Sequence, residues 1–127
     1  MNGTILFAHG ARDPRWSAPF EAVAEAMRAA APALPVRLAF LDFMHPTLPE
    51  AAAALVAEGC TRIVVVPMFL GAGGHVRQDL PRLLEGLRAA HPATGFELAG
   101  AIGEQPEVLA AMAAAALRSA AGRGAAA

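Results

Sequence analysis

Apolar residues are set along this chain in two alternating rhythms. Short unbroken runs, "TILFAH" (4–9), "VRLAFLDF" (36–43), "RIVVVPMFL" (62–70) and "FELAGAIG" (96–103), are separated by stretches in which apolar positions recur every three or four residues. The runs are rich in β-branched and aromatic side chains and bounded by glycine or loop residues, which predicts buried strands. The periodic stretches predict helices over 17–32, 47–59, about 76–90 and 105–120. Ser17 is expected to cap the first helix, with Pro19 in its first turn and Phe20, Val23, Ala24 and Met27 on one face. Thr47 is expected to cap the second, with Pro49 and Glu50 in the first turn and Gly59 at the end. In the third, Val76, Leu80, Leu83, Leu84 and Leu87 share a face.

A β-α unit repeated four times with short connections implies an α/β fold. Right-handed crossovers then give a four-stranded parallel sheet with helices on both faces, a three-layer α/β/α sandwich. The strands carry continuous apolar runs rather than clean alternation, as strands covered on both sides do. The strand order expected for such a flavodoxin-like sheet is 2-1-3-4, with the switch point between strands 1 and 3. Residues 1–120 are read as a single domain and 121–127, small and featureless, as a flexible tail.

Composition narrows the function. The chain has 127 residues, enough to bury a core without disulfides or a structural metal. Its formal net charge of −1 and its ten basic residues, all arginine, lack the basic excess of a nucleic-acid binder. The single Cys60 excludes an internal disulfide and fits a reducing compartment. No stretch approaches the roughly 20 consecutive apolar residues that span a bilayer. The start "MNGTILFAHGARD" lacks the basic segment of a signal peptide, so a soluble cytoplasmic protein is expected.

Ligands of doubly wound sheets bind beyond the carboxyl ends of the strands at the switch point. Strand 1 ends at His9, strand 2 near Asp42, and strand 3 leads through "GAGG" to His75. With strands about 4.8 Å apart, these residues converge on one rim. Two neutral imidazoles and a carboxylate suit a borderline divalent ion such as Co²⁺, Fe²⁺, Ni²⁺ or Zn²⁺. Cys60 sits at the other edge of the sheet and is not expected to ligate. His45 either joins the cluster or lines its mouth and contacts the start of helix 2; His91 is expected on the opposite edge. "HGARDPR" (9–15) supplies Gly10 for close backbone approach, with Arg12 and Arg15 on a loop. A phosphatase-type "RHG" signature is absent, since Ala8 stands where its arginine would. The stretch "GAGGHVRQD" (71–79), with Gly73 and Gly74, could offer N–H donors to an anion at the N-terminus of helix 3, but it has neither a nucleotide P-loop nor a dinucleotide fingerprint. Met44, Met68, Phe43 and Phe69 are either core or the wall of a cleft. Trp16 either stacks on a flat ligand or pins its loop to helix 1.

The three blocks "ILFAHGARDPR", "LAFLDFMHPTLPEA" and "IVVVPMFLGAGGHVRQDLP" together resemble the sirohydrochlorin chelatases. These class II chelatases insert cobalt, iron or, in some members, nickel into a reduced tetrapyrrole for cobalamin, sirohaem or related cofactors. The likeness runs from about residue 4 to residue 103. It implies that His9 and His75 handle the metal and accept pyrrole protons. The family often has Glu where this chain has Asp42, a shorter side chain that could ligate directly or through a water, with His45 as the alternative. The resemblance also implies an ATP-independent lyase without a nucleotide cofactor, acting as a homodimer. Its carboxylate-rich tetrapyrrole substrate would be gripped by Arg12, Arg15 and Arg77, with Arg82 less well placed and Gly10, Gly73, Gly74 and His45 alongside. The alternatives are a non-catalytic metal or tetrapyrrole carrier with the same site and a phosphoryl-handling enzyme of flavodoxin-like fold.

Overall fold

The computed structural model describes residues 1–71 and 73–126; of residues 74–77 and 123–126 it describes the backbone course and not the side chains. The strands are β1 (Asn2–Ala8), β2 (Val36–Phe40), β3 (Arg62–Pro67) and β4 (Gly95–Leu98), and the helices are α1 (Ala18–Ala30), α2 (Leu48–Ala57), α3 (Gly74–Ala90) and α4 (Pro106–Ala126). All pairings are parallel and the order is β2-β1-β3-β4, as the sequence predicts. Both edge strands are shorter than their apolar runs. β2 stops at Phe40 because residues 41–46 bend away, and the run after β4 closes into a 3-10 turn over Ile102–Glu104.

The two faces of the sheet are covered unequally. One presents Ile5, Phe7, Ala39, Ile63, Val65 and Phe96 to α2 and α3, whose Leu48, Ala52, Leu55, Leu80, Leu84 and Leu87 complete the main core. The other presents Leu6 and Val36 to Ala24 of α1, and a smaller cluster forms there with Met27, Leu38, Val66 and Met68 half-buried at its margin. α4 packs chiefly on the 102–104 turn, so the third layer consists of α1.

Capping differs from expectation at one helix and agrees at another. A 3-10 turn, Pro14–Ser17, precedes α1 and is capped by Asp13, whose carboxylate accepts from the Arg15 backbone N–H at 2.9 Å. Ser17 does occupy the N-cap position of α1, but its hydroxyl donates to the Pro14 carbonyl at 3.1 Å and makes no capping hydrogen bond to the α1 backbone. Aspartate outcompetes serine here because it lies one turn earlier, where the proline fixes the first φ. At α2, Thr47 and Glu50 form a reciprocal capping box. α4 runs to Ala126, beyond the helix end at 120 read from periodicity. Arg28 and Arg88, near the ends of α1 and α3, donate to the Val36 and Phe96 carbonyls at 2.7 and 2.9 Å, tying these helices to the edge strands.

Candidate functional site at the carboxyl edge of the sheet

The switch point lies between β1 and β3, and the chain leaves both strands there in register: Phe7 pairs with Pro67, and the Met68 N–H donates to the Phe7 carbonyl at 2.7 Å. Two residues further on, His9 and Phe69 meet. Phe69 is buried, His9 is exposed, and their rings stack with centroids 4.1 Å apart and planes inclined by 27°. A buried phenyl thus supports one face of a ring whose residue is otherwise exposed. Of the two readings left open by the sequence, Phe69 is core, and its ring also contacts His9.

The backbone of His9 is held from the other side. Its carbonyl accepts from the Asp42 N–H at 2.9 Å, and the Ala8 carbonyl accepts from the Leu41 N–H at the same distance. The β1–β2 ladder therefore continues past Phe40 even though the strand has ended. Gly10 adopts a φ of 89°, and a Cβ there would stand 1.9 Å from the Asp42 carbonyl oxygen. Only glycine fits this approach. Beyond Asp42, the Met44 N–H donates back to the Asp42 carbonyl at 2.8 Å across Phe43, whose φ is 68°: a three-residue γ-turn. The turn projects the Phe43 ring outward, where the Arg12 guanidinium lies 4.9 Å from its centroid. The peptide between His45 and Pro46 is cis.

The predicted residues divide into groups. His9, Gly10, Asp42 and Arg12 are gathered at the carboxyl ends of β1 and β2. The Asp42 side chain is exposed, and its observed contacts to His9 run through the backbone. Arg15 forms a two-pronged exposed pair with Asp13, at 3.1 Å from Nε to Oδ1 and 2.9 Å from Nη2 to Oδ2; this pair holds Asp13 below the usual carboxylate range. His45 is engaged by α2: its Nδ1 lies 2.7 Å from Glu50 Oε1, which also accepts from the Thr47 N–H at 2.7 Å. Those two contacts, the Thr47 bond first, lower the Glu50 pKa to about 2. Gly73 is the exposed N-cap of α3, with no side chain to fill the cap. The side chains of His75 and Arg77 lie outside the described residues; the backbone of His75 is in the first turn of α3, following β3 across the 71–73 loop. Among the described residues, no three His, Cys, Asp or Glu side chains cluster closely enough to hold a metal ion.

Other residues fall where the sequence excluded them. Cys60 is buried beside Gly3 at the amino edge, and burial pushes its thiol pKa up. His91 closes α3 near Phe96, also at that edge. Trp16 packs on Phe20 at 4.7 Å and edge-on against Phe40 at 6.4 Å, so it pins the 10–17 loop to α1. Sequence reasoning missed Gly103: its Cβ would fall 2.2 Å from the Leu70 carbonyl oxygen, and its N–H donates to the Phe69 carbonyl at 2.9 Å. The 102–104 turn thus braces the strand end that carries Phe69. A groove of about 600 Å³ lies between α1 and β2, lined by Glu21, Glu25, Arg28 and Arg37 and reaching Pro46; no imidazole lines it. A smaller cavity of about 200 Å³, lined by Pro67, Leu80, Leu98 and Ala101, opens at the ends of β3 and β4. No helix among the described residues is long and apolar enough to cross a membrane.

A parallel sheet of order 2-1-3-4 with an exposed histidine at its switch point defines the class: a doubly wound, flavodoxin-like α/β protein. A sequence model of the CbiX family matches residues 3–119, and the chain belongs to that family. It is 40% identical over 84 residues to the sirohydrochlorin cobaltochelatase of Saccharolobus solfataricus, an alignment covering 66% of this chain and 64% of the relative, just under two thirds of its length. The counterpart from Methanococcus aeolicus is 32% identical over 84 residues, covering 66% of this chain and 59% of that one. Among solved structures, the CbiX protein of Marinobacter aquaeolei VT8 superposes with a TM-score of 0.81 at 31% identity, covering 94% of this chain and 97% of the other. The sirohydrochlorin chelatase SirB of Bacillus subtilis subspecies spizizenii, in complex with cobalt, gives 0.74 at 27% identity and covers 87% of this chain and 47% of that one.

Proposed function

We propose that this protein is a sirohydrochlorin chelatase, a lyase that inserts Co²⁺ or Fe²⁺ into a reduced tetrapyrrole without ATP or another nucleotide. It serves cobalamin or sirohaem synthesis in the cytoplasm and acts as a homodimer. The observation that carries the reading is the His9 imidazole, stacked on buried Phe69 and open at the switch point of a CbiX-family sheet. Insertion of a divalent ion replaces two pyrrole N–H protons, so two protons leave as the metal enters. A neutral imidazole can hold a divalent ion weakly or accept a proton near pH 7, and both steps need such a group at the rim. His9 fills one position; His75, whose backbone opens α3 next to the same strand ends, is assigned the other. Asp42 is the carboxylate nearest to His9 along the backbone ladder, and its third-ligand role belongs to this proposal.

The substrate's carboxylates need cationic partners. Arg12 is the better suited of the loop arginines: stacking occupies the face of its guanidinium and leaves the in-plane N–H donors for a carboxylate. Arg15 must first release Asp13. Gly10, Gly73, Gly74, Arg77 and His45 complete the proposed substrate rim. SirB is named with cobalt in one structure and with Fe³⁺ in another, which supports a site tolerant of either element. This chain aligns with 47% of SirB, and two copies would supply a comparable length of polypeptide.

The test is metal insertion by the purified chain, with sirohydrochlorin and Co²⁺ or Fe²⁺ followed by absorbance. The wild-type chain should accelerate the spectral change, and His9→Ala and His75→Ala should lose the acceleration while retaining native circular dichroism. Pigment binding without a rate above the uncatalysed one would overturn the proposal in favour of a carrier.

A further inference from the structure

Two large apolar side chains stand exposed on either side of His9. Phe43 follows β2 and is 64% exposed; Leu70 follows β3 and is 74% exposed. Because the strand order is β2-β1-β3, these two segments flank the end of β1, where exposed His9 lies. Two interstrand spacings put the flanking segments about 10 Å apart. A single exposed apolar residue is ordinary on a protein surface, but both of these sit on a fixed backbone. The Met44 N–H to Asp42 carbonyl bond of 2.8 Å closes the γ-turn around Phe43. Gly103 packs so tightly on Leu70 that a Cβ there would come within 2.3 Å of the Leu70 Cα. Phe43 also adopts a φ of 68°, a conformation that a bulky residue rarely takes. Its exposed ring gains no core burial in return, so the fold alone does not account for this conformation.

We propose that Phe43 and Leu70 are two apolar posts that seat the flat ring of the tetrapyrrole across His9 and so select a planar, conjugated substrate. The inference rests on the tetrapyrrole reading of the proposed function and assigns it two contact residues. The occupant follows from the chemistry of the rim. A conjugated ring system has wide apolar faces, which a phenyl and an isobutyl side chain can cover, and this substrate carries carboxylates at its edge. The Arg12 guanidinium lies 4.9 Å from the Phe43 ring centroid, so the post that meets the apolar face also holds a cation for the acidic edge. His9 stands between the posts on its Phe69 support, beneath a ring that spans both. The positive φ then serves the site, since it turns the chain at Phe43 and sends the ring out to the rim.

The test is equilibrium binding of metal-free sirohydrochlorin, followed by the pigment's absorbance, beside the KM for Co²⁺ in the insertion assay. Phe43→Asn removes the ring and accepts a positive φ. It should weaken pigment binding about tenfold while leaving Tm no more than about 2 °C below wild type. Leu70→Ser should weaken binding about threefold or more at unchanged Tm. Phe43→Tyr and Leu70→Met should restore wild-type affinity. KM for Co²⁺ should stay at the wild-type value in all four, a split that a merely structural role would not produce. Pigment affinity unchanged in both Phe43→Asn and Leu70→Ser would overturn the inference, as would an equal loss on Val23→Ser, an exposed apolar position of α1. A shift in mass on gel filtration in place of a shift in affinity would also overturn it, by assigning the two side chains to contact between copies. Should Phe43→Asn fail to fold, NMR of the wild-type complex decides: the Phe43 ring and Leu70 methyl protons must show contacts to the pigment, and their absence would refute the posts. A wild type that binds the pigment through these residues yet inserts no metal would refute the chelatase reading alone, so the two failures are distinguishable.

Discussion

Replacing Gly10 by alanine tests the backbone clamp on His9. The added Cβ would meet the Asp42 carbonyl oxygen at 1.9 Å, whereas real contacts of this kind stay above 3.0 Å. The 9–10 and 41–42 segments must therefore separate by more than an ångström. The Asp42 N–H to His9 carbonyl bond, now 2.9 Å, would stretch well beyond hydrogen-bonding range, a loss of about 1 kcal/mol. Holding alanine at the φ of 89° costs about 1–2 kcal/mol more. Restriction of the unfolded chain by alanine returns about 0.4–1 kcal/mol, leaving a net destabilisation of about 2 kcal/mol. For a domain of this length each kcal/mol lowers Tm by about 3–6 °C, so calorimetry should record a fall of about 6–12 °C. The ring-current shift of the His9 protons should change with it, because the stack on Phe69 depends on where the backbone puts the imidazole. A Tm within about 2 °C of wild type and an unmoved His9 resonance would refute the clamp.

Three further outcomes follow from neighbouring contacts. Phe69→Leu keeps most of the buried volume but removes the stacked ring; it should lower stability by about 1–2 kcal/mol in denaturant titration and reduce metal insertion more than a purely packing change would. Gly103→Ala drives a Cβ against the Leu70 backbone, which no side-chain rotation relieves, and should cost about 1–3 kcal/mol by the same titration. Glu50, with its folded pKa lowered from 4.5 to about 2, stabilises the fold fully above pH 4.5 and loses that contribution as pH falls through 2. The difference in Tm between wild type and Glu50→Gln should therefore narrow steadily from pH 5 to pH 2, and a constant difference would contradict the capping assignment.

Much of the fold is legible because its determinants are local. Four apolar runs, the Thr47-x-x-Glu50 cap and the heptad-like leucines of α3 each report their own conformation, and the handedness of crossovers then fixes the order of the sheet. The misreadings have a common cause. β2 reads as extending to residue 43 because "FLDF" is apolar and β-prone, yet Phe43 adopts a positive φ that no propensity predicts for a bulky residue. Ser17 stands at the N-cap of α1 as its type suggests, but Asp13 and Pro14 begin helical structure a turn earlier, and its hydroxyl is spent on that turn. Gly103 is unreadable in isolation: the need for glycine arises from Leu70, 33 positions away, after the sheet has formed. α4 is legible as a helix from its sequence, but its packing on the 102–104 turn is not, because that contact forms only after the last strand is in place.

The site shows the same division between local and long-range determinants. A strand end and a glycine, both local signals, mark His9, and it stands at the switch point between β1 and β3. What orients it is not local. Phe69 comes from β3, the Asp42 N–H from beyond β2, and the brace on Phe69 from the turn after β4. Three successive crossovers must therefore close before the imidazole has a defined plane. This makes the orientation of His9 a property of the complete sheet, and it explains why position 42 matters twice. Its carboxylate faces solvent at the rim, while its peptide group grips both His9 and, through the γ-turn, the Phe43 that carries Arg12. A shorter carboxylate at this position alters the reach of the side chain but leaves that peptide scaffold intact. The backbone contribution of position 42 is thus separable from whatever its side chain does with a metal.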